Sequence, residues 1–223
     1  MAASSAQMSF SSRVKVCHVV PGLHPHAGGP SRTVVQLTDA LGSEPGVAVI
    51  LVSQGRNGDL QVGSRNGAVS RHVGLWDVRA MGSLGLVGRR QLSHVLRYGP
   101  PDLVHIHGIW HPLSHWASKA CRKRRIPFVL HPRGMLEPWA LDLKSGKKKL
   151  ALWAYQRRDL ECTEILFATA EKEAEGFRRF GLRQPIAVIP NGVEFDPATT
   201  PVIEGDALAT EGPRKALFLG RIH

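Results

Sequence analysis

Acidic residues are in short supply in this chain, with 18 Asp and Glu against 29 Lys and Arg and a formal net charge of +11 over 223 residues. The imbalance turns the surface toward acidic partners such as phosphates, nucleotides, anionic lipid or nucleic acid, without choosing among them. Cysteine is scarce as well. Cys17, Cys121 and Cys162 stand far apart, with no C-x-x-C. They read as reduced, structural thiols in a cytosol-like compartment. No apolar run is long enough to span a bilayer, so any membrane contact would be peripheral, as on the inner face of the plasma membrane. The opening MAASSAQMSFSS lacks the basic and apolar regions of a secretory signal, and a disordered leader is expected over residues 1–12. No helix-turn-helix, zinc module or RNP-like aromatic sheet is recognisable, so nucleic acid is not an expected partner.

Hydrophobic residues make up 43% of the chain, enough for a sizeable core. Short apolar runs alternate with helical patterns. RVKVCHVV, VAVILV, HVGLW near Val73, DLVHIHG, IPFVLH, EILFA and PIAVIP read as strands. SRTVVQLTDALG, RRQLSHVLRYG, PLSHWASKACRKRR, KKKLALWAYQRRDLE and TAEKEAEGFRRFG read as helices. Pro30 suits a first helical position behind Gly29, and Gly42 a C-cap. Thr169 suits an N-cap, and Gly181 a C-cap. The fourth helical pattern is irregular, because Arg157 falls on its apolar side. Such alternation predicts an α/β fold, a Rossmann-like doubly wound parallel sheet over residues 13–197. A polar linker is expected over 198–213. A fresh strand, KALFLGRIH, then opens what reads as a truncated second domain over 214–223.

Ligands of open parallel sheets bind beyond the carboxyl ends of the strands, so the residues just past each strand are the candidates. Gly28 and Gly29 lie between the first strand and first helix, where backbone N–H groups can meet an anion; a plain βα turn is the alternative. His105 and His107 share a strand face, with His111 beyond, a spacing metal sites use. Carboxylates are scarce there, so scaffold or substrate contacts are the other reading and no metal is expected. His131 ends the fifth strand. Arg133 follows as a permanent fork for phosphate or carboxylate, and Glu137 and Trp139 continue outward. Asn191-Gly192 after the last strand is otherwise an ordinary tight turn. The topology brings all four places to one edge.

HAGGPSR, DLVHIHGIW, FVLHPRGMLEPWAL, ATAEKEAEGFRRFG, IAVIPNGVEFDP and ALFLGRIH follow one another in an order that resembles the family-4 retaining glycosyltransferases of the GT-B fold. The resemblance runs from about Arg13 onward and covers the N-terminal, acceptor-side domain. It implies that Gly28, Gly29 and Arg221 approach the diphosphate of a UDP- or GDP-linked sugar. It implies that His131 acts near the reaction centre. His107, Arg133 and Glu137 would contact acceptor or sugar, and Asn191 and Gly192 would form the turn entering the cleft. The acceptor would be a glycan or lipid-linked molecule, as in polysaccharide biosynthesis, with no metal or other cofactor. The paired glutamates of the family's donor domain would lie past His223, so this half alone is expected to be inactive. Two other readings stay open: a non-catalytic module for anionic membranes or polyanions, favoured by the runs KACRKRR and KSGKKK, and a metal-dependent hydrolase built on the histidines.

Overall fold

The structure, a computed structural model, describes residues 13–24, 29–54, 71–75 and 86–192, which belong to one compact unit ending at Gly192. Seven strands, β1 (Val14–Val20), β2 (Val47–Gln54), β3 (Arg71–Leu75), β4 (Leu103–His107), β5 (Phe128–His131), β6 (Ile165–Ala168) and β7 (Ile186–Val188), form one parallel sheet in the order β3-β2-β1-β4-β5-β6-β7. The chain winds outward from β1 to one edge, returns, and winds to the other. The topological switch point therefore falls between β1 and β4.

Helices α1 (Gly29–Ser43), α2 (Leu86–Tyr98), α3 (Pro112–Arg124) and α7 (Glu171–Arg179) are the crossovers foreseen from periodicity. Between β5 and β6 lie a short α4 (Pro138–Asp142), then α5 (Ser145–Ala151), a π-helical turn (Leu152–Gln156) and α6 (Arg157–Glu161) running on as one helix.

Because side chains alternate along a strand, the sheet has two unlike faces. Cys17, Val19, Val104, Ile106, Phe128 and Leu130 point to one face and join the main apolar core beneath α2 and α3. The intervening residues point the other way. There Val20, Leu23, Val34 and Leu51 form a small second cluster against α1, and histidines take the remaining positions. Cys17 and Cys121 are buried free thiols, pushed up to about 12 chiefly by burial, while Cys162 is exposed and free.

Several local expectations are corrected. Gly42 lies inside α1, which runs on to Ser43, and the left-handed turn falls instead at Gly46 (φ +92°). Thr169 is not the N-cap of α7; Ala170 holds that position and offers no side-chain bond. The carboxylate of Glu173 reaches back instead and accepts from the N–H (2.7 Å) and hydroxyl (2.9 Å) of Thr169, the residue before the cap, where a capping box would bond the cap itself. Pro138 starts the unforeseen α4, with Glu137 in the cap position.

The misfit of Arg157 has a physical cause. The π turn admits an extra residue, and the helix beyond it is rotated relative to a straight 3.6-residue register. Asp159 and Leu160 then face inward, and Arg157 stays exposed, bonded to Glu161 and to the Phe180 carbonyl. Asp159 accepts from Arg122 (2.6 Å) and pairs with His115 Nδ1 (2.7 Å), tying α6 to α3. Gln156, at the end of the π turn, is buried, and its Oε1 accepts the backbone N–H of Trp110 (2.9 Å). Trp110 itself takes a left-handed φ of +70° just past β4. The π turn thus holds the tip of β4 in place.

Replacing Gln156 with Leu keeps the volume and removes the acceptor. The stranded Trp110 N–H is expected to cost about 1–3 kcal/mol, read as a lower urea midpoint with an unchanged slope. An unchanged midpoint would show that the bond carries no weight.

Candidate functional site

Register assembles the site. His18 pairs across from His105, and His107 from His131. His105 and His107 are two residues apart on one strand, so all four imidazoles project from the same sheet face, at the carboxyl ends of β1, β4 and β5. All four are buried. The His105 and His107 rings stack at 4.0 Å between centroids, His18 lies 5.2 Å from His105, and His131 lies 6.0 Å from it.

Arg133 closes the cluster. It stands two residues beyond β5 with a left-handed φ of +56°, followed by Gly134 at +74°. Such backbone is costly for a residue with a Cβ and persists only where its surroundings demand it. Here the demand is visible. The Gly134 N–H donates to Glu173 Oε1 at 2.6 Å, and the other carboxylate oxygen holds Thr169, so a single buried glutamate clamps the β5 loop to the start of α7. The guanidinium then reaches three segments. It donates to His107 Nδ1 (3.1 Å), to Thr33 Oγ1 on α1 (3.0 Å) and to Asn191 Oδ1 after β7 (3.4 Å).

These bonds decide where the imidazole protons sit. Arginine can only donate, so His107 Nδ1 accepts. A neutral His107 then carries its proton on Nε2, which faces His18 Nδ1 at 3.0 Å and donates to it. His18 is left with its proton on Nε2. That atom, with Nε2 of His105 and His131 and Nε of Arg133, is buried without a hydrogen-bond partner among the described residues. Buried polar groups are rarely left so, and a group of them on one face marks a place where a polar ligand would supply the missing bonds.

Neutrality follows from burial. His18 is pushed down to about 4 and His131 to about 3, by burial first and the Arg133 charge second. His105 and His107 are held well below the ordinary range by burial, with the neighbouring imidazoles and Arg133 adding to it. Arg133 is drawn down to about 10 by burial, with Glu173 opposing, and stays a cation at neutral pH.

His18, His105 and His107 bring ring nitrogens within 4.8 Å of one another, a set a divalent ion could in principle use. The chemistry of the set fits poorly. Both nitrogens of His107 are engaged, a guanidinium stands 3.1 Å from one of them, and the trio includes no carboxylate to offset a second cation. His111, the third histidine of the β4 run, is elsewhere: its Nδ1 accepts from Leu113 and caps α3.

His107, His131, Arg133 and Asn191 therefore come together. Gly29 begins α1, whose Thr33 binds both its carbonyl and Arg133. Glu137 does not join them in any described contact; its Oε1 lies 3.3 Å from where a Cβ on Gly176 would stand. Gly192 closes the described residues, and Gly28 and Arg221 lie outside them. His18, Thr33 and Glu173 were not singled out from sequence. The one signal for His18 was a polar ring in the otherwise apolar second half of β1; for Glu173 it was a glutamate at the third position of a helix.

The unfolded chain protonates its histidines near pH 6.5, whereas the buried ones do so far lower. Below 6.5 the unfolded state binds more protons, so stability holds above that pH and falls as pH drops toward the folded values. Each imidazole takes away up to about 1.4 kcal/mol per pH unit in that window. Urea midpoints should therefore hold above about pH 6.5 and fall steeply from there down to about pH 4. A flat profile there would mean that the rings are not buried neutral.

No curated protein is matched by this chain. Among solved structures, the fold is similar to that of Anabaena HepE in complex with UDP and glucose, at a TM-score of 0.58 and 14% identity over 83% of this chain and 48% of that one. It is also similar to sucrose-phosphate synthase from Thermosynechococcus elongatus (0.57, 17%, 80% and 48%). A third is the UDP-GlcNAc 2-epimerase from Neisseria meningitidis bound to UDP-GlcNAc (0.56, 15%, 80% and 47%). The chain spans about half the length of these structures. The profile of Glycosyltransferase Family 4 matches residues 27–196, most of the chain and all four imidazoles but one, and the protein carrying this switch-point cluster belongs to that family.

Proposed function

We propose that this chain forms the acceptor-side half of a retaining glycosyltransferase that moves a sugar from a UDP- or GDP-linked donor to a glycan or lipid-linked acceptor. One observation carries the reading beyond family membership. Arg133, His107, His131 and Asn191, drawn from the ends of β4, β5 and β7, meet beside α1 at the switch point, where open parallel sheets take their ligands. Structures of the same fold hold UDP-GlcNAc or UDP with glucose, which supports a nucleotide sugar as the donor class.

The roles follow from the chemistry of each group. Arg133 offers a fixed planar cation to a phosphate or an acceptor oxygen. The ring nitrogens of His18, His105 and His131 that lack a partner among the described residues would bond sugar hydroxyls or phosphate oxygens, with His131 nearest in role to the reaction centre. The N-terminal end of α1, with Gly28 and Gly29 letting the backbone come close, would meet the diphosphate, and Arg221 would add a second cation. Asn191 and Gly192 would form the turn into the cleft, while Glu137 would meet the acceptor. A departing nucleoside diphosphate needs its charge neutralised and water kept away, and fixed donors accomplish the first without a metal. The activity belongs in this reading to an enzyme carrying both halves. The 223-residue chain alone is expected to bind donor weakly and to show no useful turnover.

Two measurements test this. Histidine side-chain NMR of the chain, titrated with UDP- and GDP-sugars, should move the His107 and His131 resonances. Arg133→Ala should weaken that response by about tenfold or more, the loss of a charge-assisted bond. No response to any nucleotide sugar would remove the reading. Radiolabelled transfer assays with the same donors should show no turnover by the chain alone; robust transfer would overturn the division into halves.

A further inference from the structure

The continuous helix from Ser145 to Glu161 begins in an unusual way. From Ser145 to Tyr155 not one side chain is buried, and Gln156 is the first that is. These eleven helical residues touch the rest of the fold chiefly through Lys148 and Tyr155, and a helix this short is marginal in water by itself. Yet this stretch and the short α4 before it are rich in large apolar groups. Trp139 is 62% exposed, Leu143 61%, Leu150 65% and Trp153 85%. Among the described residues these are four of the seven large exposed hydrophobics, gathered within fifteen positions of the chain. Monomer surfaces rarely gather apolar residues in this way without a partner.

The charge around them says which partner. From Leu143 to Arg158 the chain contains no Asp or Glu, but four lysines and two arginines. Lys144, Lys147 and Lys149 are exposed, interleaved with Leu143, Leu150 and Trp153. Lys148 instead folds back to the Ala140 carbonyl and lies 5.8 Å from the Trp110 ring, bracing α5 against α4 and the β4 tip. The other basic run behaves differently. In KACRKRR, Arg122 is bonded to Asp159, Arg124 to Ser93, and Lys119 lies over Trp116. That run is largely spent on the fold, while the 144–149 run is not.

A polyanion such as nucleic acid would reward the lysines and leave the leucines and tryptophans wet. An apolar protein groove would take the leucines and gain nothing from an acid-free lysine cluster. A bilayer with anionic headgroups takes both: lysines at the phosphates, tryptophan at the headgroup level and leucine at the acyl boundary. We propose that residues 143–153 are an interfacial anchor, in which Leu150 and Trp153 insert into an anionic phospholipid surface and Lys144, Lys147 and Lys149 bind its headgroups. No helix of the described residues is long and apolar enough to cross a membrane, so the contact lies on the surface. The proposal goes beyond sugar transfer and stands whether or not the chain performs it.

The test is flotation of the 223-residue chain with phosphatidylcholine vesicles, with and without phosphatidylglycerol. The chain should float only with the anionic vesicles. Lys147→Glu with Lys149→Glu should weaken binding by about tenfold or more. Leu150→Ser with Trp153→Ser should do so separately, with circular dichroism unchanged in both. Tryptophan emission should shift to the blue on binding and be quenched by brominated lipid, and Trp153→Phe should abolish most of that quenching. Equal binding to neutral and anionic vesicles would overturn the proposal, as would no binding at all. Full binding by the Leu150/Trp153 variant would leave only headgroup adsorption and overturn insertion. Self-association without vesicle binding, lost in that same variant, would assign the face to a second copy of the chain instead.

Discussion

Burying one guanidinium organises the carboxyl edge of this sheet. Arg133 cannot be left without acceptors where it stands, so the chain must bring them, and it does so from three directions: His107 on β4, Thr33 on α1 and Asn191 after β7. The buried Glu173 answers the same charge from a step away, through the backbone of Gly134. Removing either charge would leave the other with its own hydrogen bonds but without an opposite charge nearby. The strained backbone at Arg133 belongs to the same account. Without the left-handed turn its side chain would follow the strand outward, away from the switch point.

The period of a strand explains how an oily core and a polar site share the same residues. Along β1, β4 and β5 each apolar side chain that enters the main core is followed by one on the opposite face, and His18, His105, His107 and His131 take four of those positions. A shift of one residue in any strand would bury imidazoles in the core and expose the core's valines and leucines. The hydrophobic face thus fixes the register, and the register sets the ring-to-ring distances. Precision at the site comes from packing on the other side of the sheet.

Much of this could be read from the chain and some could not. The seven strands, their parallel order and the edge where Gly29, His107, His131, Arg133 and Asn191 gather follow from apolar alternation and from the rule that ligands sit at strand ends. What stayed hidden depends on pairing partners and on helix phase. His18 is unremarkable until register places it beside His105. Glu173 looks like a first-turn acid until its carboxylate is seen reaching back to Thr169 and across to Gly134. Arg157 misleads because periodicity assumes a constant 3.6 residues per turn, and the π turn before it breaks that assumption. Thr169 looks like a cap because hydroxyls usually are, but a glutamate four residues on captures it first.

Charge economy accounts for the composition of the cluster. A second lysine or arginine in place of any of the four histidines would set two cations against each other in a buried place, with one glutamate already committed elsewhere. Carboxylates in their place would neutralise Arg133 and close the face to anions. Neutral imidazoles avoid both outcomes. They remain uncharged because burial and Arg133 hold their proton affinity down, and each still presents a donor or an acceptor. Among the described residues the result is a face with one fixed positive charge and several neutral polar atoms lacking partners. Such a face suits a ligand that brings both an anionic group and hydroxyls better than a bare ion, because only the former answers the guanidinium and the rings together. The same economy shows in where the basic excess lies: among the described residues Arg133 is the cation bonded to the imidazole cluster, while Lys144, Lys147 and Lys149 stand exposed at the surface.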